Sequence, residues 1–198
     1  RQFFFIAFPV SASALLGNAI SSAGSILLPK RLMVAGLSYE QALSALGVLS
    51  GMAMPLLLLP IALVSSVCTA LLPAVTGAQA TGNCKRVRAL VGRAITTVGL
   101  IAVPATAVLI PLAPKLSVLF FGQSLSMPYV SLLGATAMVC YYQMASGSLL
   151  NALGLQHWNV VISVGAELCQ VILMYHWCAF PWMGIYGYLI AMLLTGVA

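Results

Sequence analysis

The sequence predicts an all-α membrane protein, a bundle of six transmembrane helices. Three observations carry that expectation. The 198 residues are 62% hydrophobic and only 5% charged, against about 25% charged in a soluble domain. So few charges cannot build a water-facing surface, so lipid must solvate the outer faces. Residues 43–73, LSALGVLSGMAMPLLLLPIALVSSVCTALLP, run without a charge and exceed the ~20 residues that cross a bilayer core. The densest basic stretch, Lys85, Arg86, Arg88 and Arg93, follows that run. An apolar helix leading into a basic segment marks a span and its cytoplasmic end.

Residues 2–29 form the first expected span. Ser13, Gly17 and Ser21 recur every four residues, a small-residue edge that lets another helix approach closely. Asn18, Ser22 and Ser25 lie on a neighbouring face, with Ser11. They serve either interhelical hydrogen bonds or a polar cavity wall, and Asn18 and Ser22 are the cavity candidates. Lys30 and Arg31 open a polar connection over 30–42. In it Ser38 can cap a helix starting at Tyr39, with Gln41 completing a capping box.

The second span is 43–73, kinked where Pro55 and Pro60 remove backbone donors. A basic cytoplasmic loop follows over 74–93, its helix stopped by Gly77, Gly82 and Asn83. The third span covers 94–114, kinked at Pro104, and a short apolar connector over 116–127 lies in the outer interface. The fourth span, 128–153, carries Tyr142, Gln143 and Asn151 as further cavity candidates. The fifth covers 160–180. The sixth, 188–198, is truncated, and the chain reads as a piece of a longer protein.

With the basic segment inside, Lys85, Arg86, Arg88 and Arg93 act as topology determinants, and Lys30, Arg31 and Lys115 fall outside. The net charge of +6 therefore does not point to nucleic acid. The five cysteines include no CxxC pair and read as small packing residues.

Glu167 is the one acid inside an expected span, and an intramembrane carboxylate suggests function by default. It could bind a coupling proton or cation, or pack beside Gln170. His157 and His176 stand at opposite ends of the fifth span and read as interfacial. The chain has no aspartate, and its other acid is Glu40. Nothing resembles HExxH, GxSxG or a phosphate-binding glycine loop. The expectation is no enzyme, no cofactor and no metal. Kinked helices, small-residue contacts and one buried acid suit a transporter lobe.

The stretch YEQALSALGVLSGMAMPLLLLPIALVSSVCTALLPAVTGAQATGN, then LFFG at 119–122, SGSLLNALG at 146–154 and MGIYGYLIA at 183–191 together resemble the multidrug/oligosaccharidyl-lipid/polysaccharide exporter superfamily. The resemblance is greatest to its stage V sporulation protein B branch of polysaccharide flippases. It implies one lobe, helices seven to twelve, of a two-lobe MATE-like fold in the cytoplasmic membrane. It implies the N-terminal lobe of the same protein as partner, and a polyprenyl-diphosphate-linked sugar, such as a peptidoglycan precursor, as substrate. Where the lipid II branch carries a cavity arginine, this chain has Met52, Met54 and Pro55. Lys30 and Arg31, at the outer mouth, are then the substrate candidates that could meet the diphosphate, and the first lobe would supply the remaining cations. The alternatives are a cation-coupled drug exporter of the same superfamily and, in a different class, a membrane scaffold for cell-wall enzymes.

Overall fold

The computed structural model describes the backbone of residues 2–122, 125–180 and 182–197, and the side chains within them except those of 2–14, 57 and 121. Every regular element among them is helical. They are α1 (Gln2–Val34), α2 (Tyr39–Gly47), a π-helical segment (Val48–Ala53), α3 (Met54–Leu57), α4 (Ile61–Ala80), α5 (Cys84–Phe121), α6 (Met127–Ala152), α7 (Gln156–Trp177) and α8 (Gly184–Val197). Three of these regions, Ile61–Ala80, Cys84–Phe120 and Gln156–Trp177, are long and apolar enough to cross a membrane. Their outward side chains are large and apolar, with Leu100 75% and Leu119 76% exposed. Surfaces of that kind are stable in lipid rather than in water. Of the other expected spans, α6 is as long but dilutes its apolar residues with Tyr142, Gln143, Ser146 and Asn151, and α8 is a shorter apolar helix.

The chain packs as two compact units, 1–54 with 160–198, and 55–159. In the first, α1 turns into α2 through Gly36, whose φ of +103° is open to a residue without a Cβ. Ser38 caps α2 as the sequence predicts. Its hydroxyl accepts from the Gln41 N–H at 3.2 Å, and its own N–H donates to Gln41 Oε1 at 3.1 Å. Leu28, Leu32 and Ala42 are buried on these helices, as are Leu49 on the π-helical segment and Met174, Cys178, Leu189 and Ala191 on α7, α8 and the turn between them.

The expected single helix over 43–73 is instead divided. A proline ring collides with the carbonyl four residues earlier in an α-helix, which for Pro55 is that of Gly51. The chain widens into the π-helical turn at Val48–Ala53, immediately before Pro55. At Pro60 it breaks outright. Residues 58–60 form a turn closed by the Ile61 N–H on the Leu58 carbonyl at 2.9 Å, and Pro60 becomes the residue that starts α4. A proline is tolerated at a helix start because no donor is needed there.

In the second unit α4, α5 and α6 pack pairwise. Tyr141, Leu133, Val130 and Val98 are buried between them. Three sequence expectations are corrected here. Helix α4 does not end at Pro73 but runs through it and through Gly77 to Ala80. The loop expected over 74–93 shrinks to residues 81–83, where Gly82 takes a φ of +66° and Asn83 caps α5 by accepting from the Arg86 N–H at 3.0 Å. Lys85, Arg86, Arg88 and Arg93 therefore stand on the opening turns of a helix. Finally, α5 continues past Pro104, Pro111 and Pro114, and the connector expected over 116–127 supplies its last turns. It stops at Gly122, a left-handed cap with φ +70°.

Gly134 shows how closely α5 and α6 approach. A Cβ there would stand 2.6 Å from Ile110 Cγ1 and 2.7 Å from its Cδ1. Gly134→Val is expected to lower stability by about 1–3 kcal/mol through overpacking. Gly77→Ala, which meets nothing within 4 Å, should be neutral or mildly stabilising. Thermal unfolding in one detergent checks both, and equal melting temperatures would contradict this packing.

Candidate functional site

Within the first unit α1, α2, α7 and α8 surround a cleft of about 260 Å³. The α1 wall is made by Ser21, Gly24, Ser25 and Leu28, one helical face by their spacing. The α7 wall is Glu167, Gln170, Val171 and Met174, again spaced three and four apart, and Tyr188 and Met192 come from α8. Glu167 sits near the midpoint of α7, and Gly17 near that of α1.

Small residues on α1 make room for the acid. A Cβ at Gly17 would lie 3.2 Å from Glu167 Oε2 and 3.4 Å from Oε1, and one at Gly24 would lie 4.0 Å from Val171 Cγ2. Glycines two turns apart on α1 thus meet residues one turn apart on α7, and the two helices run in the same direction. Glu167 Oε2 is buried and, among the described residues, has no hydrogen-bond partner. A buried acceptor without a donor costs on the order of 1–3 kcal/mol, and more if charged. Ser25 is not the donor, since its hydroxyl bonds back to the Ser21 carbonyl at 3.1 Å.

Further along the same helix pair, the Arg31 guanidinium carbon stands 3.2 Å from the centroid of the Tyr175 ring. This is cation–π geometry. Arg31 Nε is buried and, among the described residues, without a hydrogen-bond partner, and Lys30 beside it is exposed. Tyr175 is two turns from Glu167, about 12 Å along the axis, so Arg31 and Glu167 form separate sites.

The other candidates disperse. Asn18 and Ser22 are exposed on α1 and outside the cleft lining. Tyr142, Gln143 and Asn151 lie on α6 in the other unit. Tyr142 packs its hydroxyl 2.6 Å from where Gly99 would carry a Cβ, so any larger residue there would displace it. Gln143 is exposed. Asn151 accepts from Asn159 Nδ2 at 3.1 Å, tying the end of α6 to the start of α7. Sequence reasoning missed Tyr175 as the partner of Arg31, because that contact joins residues distant in the chain. It also missed Ser21 as a cleft residue, although the four-residue spacing through Gly17 marked that face. No family model, curated protein or solved structure matches the chain.

Proposed function

We propose that the chain is one lobe of a membrane transporter that flips polyprenyl-diphosphate-linked sugars by alternating access, with a second lobe completing the substrate cavity. The reading places it in the cytoplasmic membrane, with the basic start of α5 on the cytoplasmic side. Its main support is the cleft at Glu167, whose buried carboxylate oxygen at mid-helix has no hydrogen-bond partner among the described residues. The sequence resemblance to the exporter superfamily supports the substrate class.

The cleft's size favours one part for it. At about 260 Å³ it falls below the ~300–1,000 Å³ of pockets that take drug-sized ligands. It suits a proton, a small cation and a few waters rather than a sugar headgroup. Glu167 is then the coupling group, and cation binding there biases which way the lobe faces. Arg31, held over Tyr175 with an Nε that no described residue bonds, and the adjacent Lys30 offer donors to a diphosphate.

A second reading, a cation-coupled drug exporter, is favoured by the same carboxylate. The two separate on binding. A short-chain polyprenyl-diphosphate sugar should bind the full-length protein saturably, with affinity that falls as salt rises. Lys30→Gln with Arg31→Gln should weaken it by several-fold and flatten the salt dependence. Absence of saturable binding, together with binding of cationic drugs, would move the chain to the second reading.

A further inference from the structure

The opening turns of α5 carry a charge pattern that the transport reading does not use. Lys85, Arg86, Arg88 and Arg93 are all exposed there. Arg86 and Arg93 are seven residues apart, hence two turns apart on one face. The flank of α5 beside that line is apolar. Leu90, Val91 and Ala94 pack with Val75 of α4 and with Leu149, Ala152 and Leu153 at the end of α6. The helix is thus fixed by one side while its other side presents cations.

Nothing in this unit neutralises those cations. Both acids of the chain, Glu40 and Glu167, belong to the other unit. The length of α5 sets their depth. Its 38 residues reach about 57 Å at 1.5 Å per residue, far beyond the ~30 Å of hydrocarbon. The uncharged run begins at Ala94. That puts Arg93 at the hydrocarbon boundary and Arg86 about 10 Å further out, a range that spans the phosphate layer. His157 and Trp158 follow the end of α6 at the same end of the unit, ring against ring at 6.2 Å, and an exposed tryptophan there suits the interface.

We infer that the Arg86–Arg93 face of α5 is a binding surface for anionic phospholipid headgroups, which gather against this end of the second unit. Topology alone needs only an excess of charge. The paired depths, the absent counter-acids and the packed apolar flank provide a place for phosphates. Each cation near an anionic surface strengthens attraction several-fold.

Trp158 is the reporter. In full-length protein with Trp158 as sole tryptophan, reconstituted in phosphatidylcholine, its quenching is compared for equal fractions of brominated phosphatidylglycerol and brominated phosphatidylcholine. At low salt the anionic lipid should quench about twofold more. That preference should fade as chloride or phosphate, matched in ionic strength, screens the surface. Arg86→Gln with Arg93→Gln should abolish the preference, while Arg86→Lys with Arg93→Lys and Lys115→Gln keep it. Lys85 and Arg88 remain in these variants to hold the orientation, and maleimide labelling of exposed Cys84 checks it. Equal quenching by both lipids in the unaltered protein, or a preference that survives the double Gln variant, would overturn the proposal. Loss in phosphate but not in matched chloride would replace lipid with a free-phosphate site.

Discussion

Glu167→Gln is expected to remove gradient-driven transport while leaving the fold in place. Glutamine fills the same volume, and Glu167 Oε2 has no hydrogen-bond partner among the described residues. What disappears is the charge that a proton or cation would meet. Coupling free energies between sites of about 1–3 kcal/mol correspond to roughly 5–150-fold, and a loss in that range is the expected reading in proteoliposomes under a proton or sodium gradient. Thermal unfolding of the same sample should be near that of the parent. Full gradient-driven transport in the variant would make Glu167 a packing residue.

Gly17→Val should have the second large effect, by a steric route. The first added carbon would stand 3.2 Å from Glu167 Oε2, closer than ordinary contact, and valine adds two methyls beyond it. The carboxylate must swing away or α1 must retreat from α7, at about 1–3 kcal/mol of overpacking. Transport should fall with Gly17→Val and persist with Gly24→Ala, whose Cβ meets only Val171 Cγ2 at 4.0 Å. Equal activity of the two variants would show that the position of the carboxylate does not matter.

How much of this was legible in the sequence depended on the kind of signal. The capping box at Ser38 and Gln41 is local chemistry, and the structure reproduces it bond for bond. Gly82 and Asn83 were legible as a break for the same reason. Prolines were harder, because one residue type has different outcomes. Pro60 breaks the chain and Pro55 follows a widened turn, whereas Pro73, Pro104, Pro111 and Pro114 sit inside continuous helices. An apolar setting accounts for the four that are tolerated. With no water to satisfy a broken helix, the chain keeps its remaining helical bonds and tolerates one lost donor. The basic residues misled in another way, since charge suggested a loop where α5 begins.

At the site, the unusual chemistry of Glu167 was visible as the one acid in an apolar run. Its surroundings were not. That Gly17 would face it, and that Arg31 would meet Tyr175 rather than an acid, depends on how α1 crosses α7. No single-helix periodicity encodes that register. Candidates chosen by residue type alone, such as Asn18 and Gln143, proved exposed on separate helices.

The central claim, transport of lipid-linked sugars, is tested most directly by translocation. The full-length protein is reconstituted into liposomes with a fluorescent polyprenyl-diphosphate sugar, and access of an external quencher is followed. The account predicts protein-dependent flipping that responds to an imposed cation gradient and loses that response in Glu167→Gln. Fluorescence protected to the same extent with and without protein, for several lipid-linked sugars and under every gradient, would contradict it.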